Sequence, residues 1–329
     1  MRFAPTDDQI AFAEAVSALL DNHCSPAHLR STWESGTAPD GLWAQLVEMG
    51  VIAMLVPESA GGLGMTDIDI HPIIVAAGAA ALPLPLSMTA AVAAPTVAQC
   101  GEVGADVLAL IAEGSSVGVV SDANSVAYGA DLAGVLQIRA SELRWHPRDV
   151  INMTGIVSVD GARGLAGVEF LSDGILISRD PTVVATALAR LHLTTAAELV
   201  GLSDTMIAMT VAYVSERKQF GVPIGSFQAM KHHCANAVIA NDFARPLVAR
   251  AAYSVSVSDA DATTHAHMAL AAASEASATV SRIALQCHGA IGYTTECDLH
   301  LYMKRAWALV LERGDAHSQL RQVAVRLFA

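Results

Sequence analysis

Arg217, Gln219, Phe220 and Gln228 bring together the side-chain types that grip a nucleotide. They fall in Ser215-Glu216-Arg217-Lys218-Gln219-Phe220-Gly221, with Ile224, Phe227 and Gln228 close behind. A guanidinium presents a planar fork of donors that matches a pyrophosphate, two carboxamides can bond ribose or adenine edges, and Phe220 adds an apolar face. Standing alone, such an arginine reads more simply as a surface side chain in the turn that ends a helix. A second motif, Gln286-Cys287-His288-Gly289-Ala290-Ile291-Gly292-Tyr293, follows downstream and is trailed by Glu296, Leu299, Tyr302 and Arg305.

Other groupings are weaker. His232-His233 and His265-x-His267 do not make a metal site, because adjacent helical positions face different ways and no cysteine or carboxylate completes a set at a recognised spacing. Cys287-His288 is not a nucleophile with its base, since consecutive side chains diverge. Gly61-Gly62-Leu63-Gly64 lacks the preceding strand of a βαβ unit that a dinucleotide fingerprint requires.

The elements that must hold these residues are mainly helical, as expected for a chain rich in Ala and Leu with only 5% aromatics. Residues 1–113 read as a helical domain. Thr6 caps a first helix with Ile10, Ala13, Val16, Leu19 and Leu20 on one face, and a second, with Leu42, Trp43, Leu46, Val47 and Met49, is closed by Gly50. A glycine-rich loop, 56–64, follows. Between 70 and 101 there is no Asp, Glu, Lys or Arg, but Pro72, Pro83, Pro85 and Pro95 cut the stretch into pieces shorter than the roughly 20 residues of a membrane span. Buried alanine-rich helices are the expectation there.

Residues 114–183 read as a small β domain, with short β-favouring runs at 117–120, 135–138, 151–153, 157–159 and 175–177 expected to pair antiparallel. Residues 184–329 read as a four-helix bundle. Leu199, Leu202, Met206, Met209 and Tyr213 recur at helical spacing and deliver Arg217 at the helix end. A second helix starts near Gln228, with Pro246 expected to kink or interrupt it. A third runs from about Asp261 to Gln286 and is closed by Gly289. The fourth begins near Asp298, with Leu299, Tyr302, Met303, Ala306 and Leu309 on its buried side.

The formal charge of −13 opposes a phosphate backbone, and no basic cluster offsets it, so nucleic acid is not an expected partner. Five cysteines without a CxxC pair, and a start without secretory character, point to a reducing cytoplasm and no membrane association.

Taken together, the two motifs resemble the acyl-CoA dehydrogenase family. The Arg-x-Gln-Phe-Gly turn is similar to the one that reaches a neighbouring subunit's FAD, and the 286–293 segment to the family's Gln-x-x-Gly-Gly-x-Gly-Phe loop, whose glycines let the backbone approach the FAD diphosphate. Ala290 stands where the second glycine is usual. Trp43-x-x-Leu46-x-x-Met49-Gly50 followed by Pro57-Glu58-x-x-Gly61-Gly62-x-Gly64 resembles the family's amino-terminal domain, in the right order. The resemblance implies an FAD site to which Arg217, Gln219, Phe220, Gln228, Gln286, Cys287, His288, Gly289, Ala290 and Gly292 contribute.

The family reaction removes an α proton from an acyl-CoA thioester with a glutamate while hydride leaves the β carbon for flavin. Counting from Gln286, one family position for that glutamate falls on Arg313, one residue from Glu312. Counting back from Arg217, the other falls at or beside Leu191. Glu312 serves only if the turn shifts by one residue, and a solvent-facing helix end explains it more simply. Glu198 lies two turns away, where a polar contact between helices or with a partner accounts for it. The family's flavin-wrapping Thr-Glu-Pro loop is also absent at 121–125. A shortened β domain, no loop and no base resemble the smaller subunits of heteromeric α2β2 acyl-CoA dehydrogenases of actinobacterial steroid degradation. That resemblance implies a larger partner supplying the base, with FAD held between unlike chains. A self-sufficient homo-oligomer using Glu312 and a non-catalytic scaffold are the alternatives.

Overall fold

The computed structural model describes residues 6–121 and 124–328. Helix α1 (Asp7–His23) starts where Thr6 and Gln9 cap each other reciprocally: the Gln9 carboxamide oxygen accepts the Thr6 N–H at 2.8 Å and the Thr6 hydroxyl accepts the Gln9 N–H. Helices α2 (Pro26–Ser35), α3 (Leu42–Glu48) and α4 (Asp67–Ala79) follow, and Gly50 ends the α3 turn with φ 77°. The charge-free stretch is interior. Pro72 sits inside α4 without ending it, and a π-helical segment, Ser87–Ala93, runs into α5 (Ala94–Val97) with every residue buried. Helix α6 (Gly101–Ala112) leads out of this layer.

Seven short strands come next: β1 (Ser116–Val120), β2 (Ser125–Val126), β3 (Leu132–Ile138), β4 (Leu143–Pro147), β5 (Ile151–Gly155), β6 (Ala166–Phe170) and β7 (Ile175–Ser178). They form two sheets, ordered β1-β3-β4-β7 and β2-β6-β5. The expectation of purely antiparallel pairing is corrected here, because β1 pairs with β3 in parallel. The intervening chain leaves for the second sheet as β2 and returns through a 3-10 turn at Gly129–Asp131, so β3 runs the same way as β1. The run 157–159 is a loop rather than a strand: no neighbouring strand meets it, and Val157 is 100% exposed. Of the segment 121–125, Asp122 and Ala123 lie outside the described residues.

The carboxyl-terminal bundle is built on α7 (Pro181–Glu216), with α8 (Gln228–Ser256), α9 (Ala262–His288), α10 (Leu299–Arg313) and a fifth helix, α11 (Ala316–Phe328), beyond the four read from sequence. By length and composition α7 could cross a bilayer, yet 72% of its most apolar stretch is buried against protein. It crosses α4 at backbone contact: a methyl on Gly201 would stand 2.0 Å from the Val75 carbonyl oxygen, and one on Gly78 2.3 Å from that of Glu198. Pro246 does not interrupt α8. It stands on the exposed face, as does Asp242 one turn earlier, whose carbonyl is the one the proline leaves without its helical donor. Asp298 precedes α10 but its side chain does not cap it, being drawn instead to Arg30 at 3.0 Å. The five residues expected on the inner face of α10 are all buried.

Candidate functional site

Arg217 ends α7. Its N–H donates to the Tyr213 carbonyl at 2.9 Å and its own carbonyl accepts from Ile224 at 2.7 Å, closing a hairpin of β8 (Lys218–Gln219) and β9 (Val222–Pro223). Phe220 and Gly221 form the corner with φ 55° and 82°, the left-handed pair that a tight two-residue hairpin demands. Phenylalanine rarely adopts this conformation, and here it leaves the ring 92% exposed, edge-on to Phe227 at 6.3 Å. Among the described residues, the exposed Arg217 guanidinium has no hydrogen-bond or ion-pair partner. The Gln219 amide donates only to the Lys218 carbonyl, and Gln228 stands exposed as the first residue of α8. Arginine, aromatic face and carboxamides therefore sit on one protruding corner with their binding groups turned outward.

The second motif begins where α9 stops. Gly289 caps that helix at φ 63°, ψ −140°, a combination open essentially to glycine alone. Residues Gly289–Tyr293 then make a short 3-10 turn, with Gln286, Gly289 and Ala290 exposed. The side chains of Cys287 and His288, among the expected cofactor contacts, are buried. The Cys287 thiol packs against Cys234, and burial pushes its pKa up to about 11. The His288 Nδ1–H donates to the Ala284 carbonyl at 2.8 Å, and its ring stacks on Tyr213 at 4.5 Å and 20°. Only their backbone remains available to a ligand. Through that stack the structure brings the root of the Arg217 corner against the root of the Gly289 turn.

The interior is different. Leu191 and Arg313, the two positions where sequence register would place a base, line one cavity of about 30 Å³ together with Leu84, Tyr128, Thr194 and Glu198. Such a volume holds about one water, against the roughly 300–1,000 Å³ of a small-molecule site. Glu312 is not a solvent-facing helix end. Its side chain is 9% exposed and ion-paired to Arg163 and, at 2.7 Å, to Arg313. Burial works against its charge, but the two guanidiniums outweigh that and hold its pKa at about 2, too low for a proton acceptor matched to neutral pH. Glu198 is shifted the other way: desolvation raises its pKa, and its carboxyl bonds the Ser87 hydroxyl. Sequence reading did not find Arg163, Asp160 or Tyr128, which complete this buried network with Arg305. Arg305 bonds Asp160 and the Leu82 carbonyl, and Tyr128 reaches the same carbonyl at 3.2 Å. No local pattern marks them, since each partner comes from a distant segment.

His232, His233, His265 and His267 do not converge. His265 bonds Ser254 at 2.9 Å, His267 bonds Gln319 at 2.7 Å, and among the described residues no group of three metal-ligating side chains forms.

Residues 6–105 match the model of the acyl-CoA dehydrogenase N-terminal domain and residues 182–328 that of the C-terminal domain. The chain is 34% identical over 307 residues to the acyl-CoA dehydrogenase IpdE2 of Mycobacterium tuberculosis, covering 92% of each chain, and 32% identical over 329 residues to that of Mycolicibacterium smegmatis, covering 98% of this chain and 100% of the relative. It belongs to the acyl-CoA dehydrogenase family. Among solved structures, the ChsE4-ChsE5 complex from Mycobacterium tuberculosis superposes with a TM-score of 0.88 at 22% identity, covering 99% of each chain, and the Tcur3481-Tcur3483 steroid acyl-CoA dehydrogenase variant with 0.86 at 21%, covering 97% of each. At those identities the likeness speaks for the fold.

Proposed function

We propose that this chain is the smaller subunit of a heteromeric acyl-CoA dehydrogenase that desaturates a steroid-derived acyl-CoA thioester, holding the adenosine and diphosphate end of FAD while a larger partner supplies the glutamate base. The observation that carries this reading is that neither position where sequence register expects the base holds a carboxylate: Leu191 and Arg313 line a cavity of about 30 Å³, and Glu198 on the same cavity lies two turns from the expected position and is bonded to Ser87. FAD, when bound, supplies the hydride acceptor. Arg217 would pair with the diphosphate, Gln219 and Gln228 with ribose or adenine edges, and the Gly289 turn would let the backbone come close. Their fit is supported by a guanidinium without a partner among the described residues and by the absence, among them, of any other atom within 4 Å of where a side chain on Gly289 would begin. Ile239 and Phe243, one turn apart on α8 and 51% and 75% exposed, put two large apolar side chains side by side on the surface, which favours a partner chain there. A further relative adds to this. The acyl-CoA dehydrogenase FadE34 of Mycobacterium tuberculosis is 29% identical over 341 residues that make up only 48% of its length, which leaves room there for a second unit of similar size. The steroid assignment leans on the Tcur3481-Tcur3483 likeness alone.

Glu312 in its double ion pair disfavours the self-sufficient alternative, and the outward-facing Arg217 disfavours a pure scaffold. The test is expression alone against co-expression with candidate larger acyl-CoA dehydrogenase chains, read by flavin absorbance and turnover. The expected result is a colourless, inactive protein alone and a yellow, active complex. In that complex Arg217→Ala should weaken FAD retention about tenfold or more, in line with a charge-assisted bond to phosphate. Stoichiometric FAD and turnover from the isolated chain would refute the divided site.

A further inference from the structure

We infer that the stacked rings of Tyr213 and His288 are a positioning clamp that sets the spacing of the two nucleotide-gripping arms. The inference rests on the proposed FAD site and concerns two side chains set back behind its exposed groups.

Each ring sits at the root of one arm. The Tyr213 carbonyl accepts the Arg217 N–H, so Tyr213 opens the last hydrogen-bonded turn of α7, the turn that ends in the guanidinium. His288 is the final residue of α9, and the chain reverses immediately after it at Gly289. Its imidazole cannot swing freely, because packing holds the buried ring in place, and Nδ1–H also meets the Ala284 carbonyl at 2.8 Å. That fixed ring lies on Tyr213 at 4.5 Å between centroids and 20° between planes. The Gly289 turn folds back over the same residue, as a methyl on Gly292 would stand 3.0 Å from the His288 Cβ. On the other side, Gly225, in the turn after the β8–β9 hairpin, packs on the Val214 carbonyl, next to Tyr213. One buried ring therefore contacts both arms, while neither arm bonds the other at its exposed end. A diphosphate spanning Arg217 and the Gly289 backbone requires their separation to be fixed before it binds, since ordering flexible arms on binding weakens affinity.

The experiment uses the co-expressed complex stripped of flavin and titrated with FAD, followed by flavin fluorescence. His288→Ala should weaken FAD binding about 3- to 10-fold, the size of an aromatic stacking contribution, and His288→Phe, which keeps the ring but not the Nδ1 bond, should recover affinity to within about twofold. Tyr213→Ala should weaken binding similarly, and the double variant should be no worse than about either single one, because both remove the same contact. Unchanged affinity in His288→Ala overturns the clamp, as does a His288→Phe variant as weak as His288→Ala, or single effects that multiply in the double variant. Arg217→Ala in the same titration separates the two levels. If it weakens FAD binding while His288→Ala does not, only the clamp fails. If it too leaves affinity unchanged, the nucleotide-site reading fails with it.

Discussion

Replacing Glu312 by Gln separates an ion-paired structural carboxylate from a catalytic base. The Glu312 side chain lies between Arg163, whose own side chain is 6% exposed, and Arg313. Its pKa falls from the ordinary 4.5 to about 2, and at 1.36 kcal/mol per pH unit that corresponds to about 3 kcal/mol of stability at neutral pH. A second route gives the same size: removing one member of a buried pair strands the other charge, at a cost of about 3–5 kcal/mol. With unfolding entropy near 2.1 cal/mol/K per residue over 329 residues, 3 kcal/mol lowers the melting midpoint by about 4–5 °C. The sign with pH follows from a depressed carboxylate. Its contribution is complete above about pH 4.5 and drains away as pH falls toward 2, so the wild-type and Glu312→Gln curves should converge in acid. The assay pairs urea or thermal unfolding with turnover per bound flavin in the complex. The expected outcome is a less stable protein whose complex turns over normally. A collapse in turnover of several orders of magnitude with the melting midpoint intact would make Glu312 the base and overturn the reasoning.

Three further outcomes follow from the same structure. Burial, then neighbouring His267, lowers the His192 pKa to about 3; the unfolded chain takes up a proton below pH 6.5 that the folded one refuses, so stability is full above 6.5 and falls by about 2 kcal/mol by pH 5 from this residue alone. Urea midpoints at pH 7.5 and 5 should show that loss in the wild type and a smaller one in His192→Gln, and equal losses would remove His192 from the account. Glu198, whose charge burial disfavours and whose carboxyl is bonded to Ser87, should tolerate Glu198→Gln with less than about 1 kcal/mol lost at pH 7, because the amide removes the disfavoured charge and its oxygen can still accept from Ser87; a loss above about 2 kcal/mol in chemical denaturation would mean that the carboxylate's charge stabilises the fold. Gly201→Ala should cost about 3 kcal/mol or more, since its methyl meets the Val75 carbonyl at 2.0 Å, whereas Gly36→Ala meets nothing and suffers only its left-handed backbone, about 1 kcal/mol. Comparable melting points for the two variants would show that α4 and α7 can separate without loss.

The sequence by itself determined whatever depends on neighbours along the chain. The Thr6 cap, the long α7, the Arg217 corner and the glycine that stops α9 were legible because helices, caps and turns are written in residues three or four positions apart. The Arg-x-Gln-Phe-Gly and Gln286 motifs were legible for the same reason. Tertiary structure decided what depends on distant segments. Nothing near Glu312 announces Arg163, so its apparent exposure at a helix end became burial in an ion pair. Nothing near Cys287 and His288 in sequence announces that α8 and α7 bury their side chains, through Cys234 and Tyr213. The parallel pairing of β1 with β3 and the persistence of α8 through Pro246 were likewise decided outside their local windows, by the path of the crossover and by which face of the helix met water. Charge partners and strand neighbours are chosen by the fold because electrostatics and burial act through space, whereas helix and turn chemistry acts along the backbone.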